Sequence, residues 1–140
     1  MTRPAIAAAL IAVAVATLDA QKPEATSLSG KPLMIPATIA TPKLEADLAE
    51  AQKTLAANPT DAEAMIWVGR RFGYLWRFND AIAMFSKGIA LYPDNPKFYR
   101  HRGHRYISVR QFAAAQADFE KAAQLIKGKP AVSGVPGRTG

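Results

Sequence analysis

The stretch YRHRGHRYISVRQF, from Tyr99 to Phe112, places four Arg and two His within fourteen residues and includes no acid. Three kinds of chemistry suit such a set. His101 and His104 could ligate a metal, but two imidazoles three apart, with no carboxylate nearby, fall short of a coordination shell. Arg side chains interleaved with Tyr99, Tyr106 and Phe112 could meet a nucleic acid. The same residues could also be one face of a helix, where a guanidinium pairs with a carboxylate through two parallel hydrogen bonds.

Other chemistries find little footing. The chain of 140 residues contains no Cys, which excludes disulfides, thiolate zinc sites and thiol nucleophiles. No Ser sits in a nucleophile elbow. The tripeptide GKP at 30–32 and 128–130 follows no strand, so neither copy is a phosphate loop. Asp61, Glu63, Asp80 and Asp94 fall at expected helix starts, where carboxylates favour the positive end of the helix dipole. The expectation is a protein that is not an enzyme, with no cofactor and no metal.

The net charge of +7 is uneven. Residues 1–60 hold five basic and five acidic side chains, and the remainder holds thirteen basic against six acidic. With 49% hydrophobic residues, Ala dominating and Val and Ile few, the composition favours helix over sheet.

The N-terminus reads as a leader. Arg3, the apolar run Ala5 to Leu18 and the small residue Ala20 before Gln21 form a secretory signal peptide over 1–20, too short for a comfortable membrane span. Export to the periplasm or the extracellular space is expected, with no stable membrane insertion after cleavage. Residues 21–40, with three Pro, a Gly and several Ser and Thr, read as a flexible linker.

From residue 41 onward the sequence repeats. Pro59 and Pro93 stand 34 residues apart, and the same offset relates Gly69 to Gly103, Phe72 to Tyr106, Phe78 to Phe112, Ala81 to Ala115, Phe85 to Phe119 and Lys87 to Lys121. Each unit holds two helical signals. Thr60 to Glu63 forms a capping box before a helix running to about Trp76, and Asn79 with Asp80 is expected to cap a second helix running to about Leu91. The next unit gives helices over 96–109 and 113–126, and the stripe Leu44, Leu48, Ala51 and Leu55 supplies an earlier lone helix over 41–58. Gly69 and Ala81, like Gly103 and Ala115, let paired helices approach, with Phe72, Phe85, Tyr106 and Phe119 filling the space beside them. The fold class is therefore all-α, with about five helices in antiparallel pairs.

These residues resemble the tetratricopeptide repeats. Gly69, Phe72, Phe78, Ala81, Phe85 and Pro93 stand at that family's spacing in the unit 62–95, with Gly88 at a small-residue position. Tyr99, Gly103, Tyr106, Phe112, Ala115, Phe119 and Ala122 repeat the pattern in 96–129. The resemblance implies a right-handed α-solenoid over 41–129, no enzyme activity, and a likeness to secreted bacterial proteins of this class. Trp76 and Arg110 occupy a turn position where the family has Gly, so altered inter-helix turns are expected. Arg102 replaces the family's Leu and is expected to extend its head group outward.

The resemblance also implies a concave groove that binds extended peptides. Glu63, Ile66, Arg70 and Tyr74 from the first repeat, with Lys97, Arg100, His104 and Ile107 from the second, would line it. The expected function is an exported protein–protein interaction module that takes an acidic or carboxylate-bearing segment in this basic groove. The alternatives are an accessory domain of a larger exported protein or enzyme, and a cationic nucleic-acid binder, which export disfavours. Ala114, Ala117, Phe119, Ala122, Ala123, Leu125 and Ile126 spread around the last helix, and the Gly, Pro and Ser of 130–140 read as a disordered tail. Self-association or partner docking through 113–126 is the corresponding expectation.

Overall fold

In a computed structural model, residues 22–129 are described. The leader at 1–20 and the tail at 130–140 lie outside them. The described residues form a short antiparallel hairpin, β1 (Ala25–Thr26) and β2 (Pro32–Leu33), then α1 (Pro42–Ala57), α2 (Ala62–Tyr74), α3 (Phe78–Leu91), α4 (Pro96–Ser108) and α5 (Phe112–Ile126). Each helix packs on the next, and α2 also touches α4. The architecture is an all-α helical repeat.

The helix starts follow from local chemistry, with corrections. The Thr41 hydroxyl accepts from the Leu44 N–H, and the Asp61 carboxylate accepts from the Ala64 N–H at 2.7 Å. Asp61 thus caps α2, in place of the expected Thr60–Glu63 box, and Glu63 is free to pair across to Lys97 on α4. The α3 start differs more. Asn79 and Asp80 do not cap it, because the helix already begins at Phe78, and Arg77 at the cap position makes no side-chain bond to the backbone. Asp80 instead pairs with Arg77 at 2.7 Å. The open Asn79 N–H donates to the Glu24 carboxylate at 2.8 Å, and the Asn79 amide donates to the Glu24 backbone carbonyl at 3.0 Å. A residue from the expected linker therefore caps α3, so residues 22–40 include a docked hairpin and not only an extended tether.

The inter-helix turns carry a second correction. Trp76 at φ 59° and Arg110 at φ 66° adopt the left-handed conformation that Gly favours, so the turn is preserved despite the bulky residues. Arg77 N–H donates to the Phe72 carbonyl at 3.0 Å, and Gln111 N–H donates to the Tyr106 carbonyl at 2.8 Å, the bonding of a Schellman stop. The strain at each non-Gly residue is about 1 kcal/mol.

The core runs through α1, α2, α3 and α4: Leu48, Met65, Val68, Phe72, Leu75, Ala81, Phe85 and Phe98 are buried. Gly69 admits the Phe85 ring, and Gly103 stands where a Cβ would lie 2.8 Å from Phe119. Arg102 turns inward, against expectation. Its Nε and Nη2 each donate to Asp118 at 2.8 Å, and its Nη1 donates to the Ser86 hydroxyl at 3.0 Å. Asp118 supplies on α5 the partner that makes an Arg tolerable at an apolar position, and its hydrogen bond to Arg102 holds the guanidinium above its usual pKa.

Candidate functional site

Between α2 and α4 a pocket of about 220 Å³ is lined by Gly69, Arg70, Tyr74, Phe85, His101 and Arg105. Helix α2 positions its side through Arg70 and Tyr74, one turn apart, with Arg70 Nη2 donating to the Tyr74 hydroxyl at 2.8 Å. The Arg70 guanidinium also lies 4.3 Å from the Trp67 ring centre, which fixes its direction. Helix α4 positions its side through His101 and Arg105, again one turn apart.

Arg105 is half-buried. A Cβ at Gly73 would stand 2.7 Å from its Nη1, and its guanidinium lies 5.6 Å from the Phe78 ring centre. Burial lowers its pKa. Among the described residues neither Arg70 nor Arg105 pairs with a carboxylate. His101 stacks on Phe85 at 5.5 Å between ring centres, and burial, then the Arg100 and Arg70 charges, lower its pKa to about 4. At neutral pH it is an uncharged imidazole, so the pocket's charge comes from its arginines.

The structure brings together only part of the expected groove. Arg70 and Tyr74 line the pocket. Ile66 does not, because α2 is flanked by α1, α3 and α4 and buries more of its circumference than an edge helix; Ile66 is 2% exposed and belongs to the core. Glu63 and Lys97 face each other as an ion pair, which neutralises the end of the groove near the helix starts. Arg100, His104 and Ile107 are exposed on α4, one step around the helix from the pocket. His104 packs edge-on against Phe119 at 5.1 Å, toward α5. His101 and Arg105 take their place. Sequence spacing did not mark them, because the face of α4 that points at α2 depends on a helix rotation that spacing alone does not fix.

No family model matches the chain. The human protein "Tetratricopeptide repeat protein 13" is 30% identical over 86 residues, which is 61% of this chain and 10% of that protein. Among solved structures, MamA MSR-1 aligns with a TM-score of 0.55 at 26% identity, over 59% of this chain and 48% of its own. The type III secretion translocator chaperone SycD of Yersinia enterocolitica aligns with a TM-score of 0.60 at 20% identity, covering 63% of this chain and 67% of that one. The same chaperone in complex with a peptide of the translocator YopD aligns with a TM-score of 0.59 at 22% identity. This chain thus spans a tenth of the human relative and about half of MamA.

Proposed function

We propose that this chain, a member of the tetratricopeptide-repeat family, is an exported protein–protein interaction module that holds an acidic or carboxylate-bearing peptide between α2 and α4. One observation carries the reading. Two guanidinium groups, Arg70 and Arg105, converge on one pocket without a carboxylate, and Arg105 is half-buried. A desolvated cation without a counter-charge is costly, and an incoming carboxylate offsets that cost. Tyr74 adds a hydroxyl and Phe85 an apolar floor, a mixture suited to binding and lacking a nucleophile–base pair. On the same fold, the Yersinia chaperone binds a peptide of a translocator; at 22% identity that likeness supports the scaffold, and the partner's chemistry here rests on the arginines.

The test is an alanine–glutamate peptide titrated into the full chain. Arg70→Glu is expected to weaken binding by about 2 kcal/mol, since a charge-assisted hydrogen bond to a carboxylate contributes about 1.5 to 3 kcal/mol. Circular dichroism should be unchanged, because Arg70 lies outside the buried core. Arg100→Glu, outside the pocket, should cost much less. Equal affinity in wild type and Arg70→Glu would remove the pocket from the mechanism.

Export rests on the leader alone. Mass spectrometry of the protein from the cell envelope is expected to give a mature N-terminus at Gln21. An intact Met1 in the cytosolic fraction would place the module inside the cell.

A further inference from the structure

Where the hairpin meets the inter-helix turns lies another pocket, of about 400 Å³. The hairpin segment contributes Leu33, Met34 and Ile35, the α2–α3 turn contributes Trp76 and Phe78, and the α4–α5 turn contributes Arg110. Its volume falls in the usual range for small-molecule sites, about 300 to 1,000 Å³. The Trp76 and Phe78 rings stack at 6.0 Å between centres and 27° between planes, which gives the pocket a flat aromatic wall.

Two of these residues are held at a conformational cost. Trp76 and Arg110 stand 34 residues apart, at the equivalent turn of the two repeats, and both take a positive φ that Gly adopts without strain. Both line this one pocket. The turn itself gives no reason for an indole and a guanidinium at these positions; the pocket does.

The two charges of the pocket differ in their partners. Glu24 is its acid, and the Glu24 Oε2 accepts from the Asn79 N–H at 2.8 Å and from the Asn79 amide at 2.9 Å, at the positive end of α3. Arg110 forms no ion pair among the described residues. Residues 99–117 contain no acid, and Asp118 is held by Arg102. The α2–α4 pocket is a neighbour, since its Arg105 lies 5.6 Å from the Phe78 ring centre, but Arg105 does not line this cavity.

We infer that this pocket binds a small aromatic carboxylate, with its ring laid against Trp76 and Phe78 and its carboxylate held by Arg110. An aromatic body suits the flat wall through stacking, and a guanidinium meets a carboxylate through two parallel hydrogen bonds. Leu33, Met34 and Ile35 supply the apolar remainder. The site does not rest on the acidic-peptide reading, because it shares no lining residue with the pocket between α2 and α4.

The probe is naphthalene-2-carboxylate, titrated into the full chain by calorimetry, with the matching alcohol and ammonium compounds as controls. The carboxylate is expected to bind, and the controls to bind about tenfold more weakly, the scale of one charge-assisted hydrogen bond. Arg110→Gln, at an exposed position, should remove that preference and leave the affinity for the alcohol unchanged. Trp76→Gly should weaken all three while the midpoint of urea unfolding stays the same or rises, because the turn loses its strain. Arg70→Glu should leave the affinity for the carboxylate unchanged. Equal affinities for the three compounds, or no binding of any, overturn the proposal. Loss of binding on Arg70→Glu and not on Arg110→Gln would seat the carboxylate in the basic pocket, and a lowered unfolding midpoint for Trp76→Gly with binding intact would make Trp76 a support for the hairpin; either overturns it.

Discussion

Gly88→Ala is expected to destabilise the fold by about 2 kcal/mol, the usual range for forcing an extra methyl into a packed core being about 1 to 3 kcal/mol. The sign is informative because two effects oppose each other. Gly88 lies inside α3, and exchanging a helical Gly for Ala ordinarily gains about 1 kcal/mol. Here the new Cβ would overlap the Phe98 ring, which is fully buried at 0% exposure and so cannot yield by turning out into solvent. Gly73→Ala is the control. There the nearest atom is Nη1 of the Arg105 head group at 2.7 Å, the end of a flexible side chain that can swing away. Urea unfolding of the two variants should therefore give opposite outcomes, a clear loss for Gly88→Ala and little loss or a gain for Gly73→Ala. A stabilised Gly88→Ala would mean that α3 and α4 pack less closely than described.

Asp118→Ala is expected to have the largest effect of any polar substitution, about 3 kcal/mol, since removing one partner of a buried ion pair strands the other charge. The Asp118 side chain is 7% exposed and that of Arg102 is 18%, so solvent can do little to compensate. The Ser86 hydroxyl satisfies one nitrogen of the guanidinium and leaves its charge unneutralised. Arg102→Leu with Asp118→Leu should recover most of the loss, because apolar residues of similar volume commonly replace such pairs without penalty. Chemical unfolding of Arg102→Leu, Asp118→Leu and the double Leu variant forms a cycle whose coupling energy should be about 2 kcal/mol. Additive losses would show that the pair contributes little beyond two independent surface charges.

The repeat was legible in the sequence for a physical reason. Gly69 with Phe85 and Gly103 with Phe119 are matched small and large residues, and a fixed offset preserves their meeting because each unit solves the same packing problem. The inward turn of Arg102 was not legible. Its partner lies 16 residues away on another helix, and a lone Arg at an apolar position reads as one that must reach for water. The α3 cap was hidden in the same way, since Glu24 is 55 residues from Asn79. Within the pocket, Arg70 and Tyr74 could be placed from spacing on α2, whereas Ile66 could not: its burial depends on how many neighbours surround α2. His101 and Arg105 were displaced from expectation by one step of helix rotation, which is set by packing of Phe98 and Tyr99 into the core.

The contact between Glu24 and Asn79 changes the connectivity of the array. A helical repeat is ordinarily a line of nearest neighbours, in which the end element opens first because it is held on one side only. Among the described helices α1 is such an element, packing chiefly on α2. By fastening the chain ahead of α1 to the start of α3, the Glu24 carboxylate closes a ring that contains α1 and α2. Peeling α1 outward must then either break the tether or stretch the segment between Leu33 and Thr41. The end of the line behaves as an interior element, and local opening at α1 becomes coupled to the cap of α3.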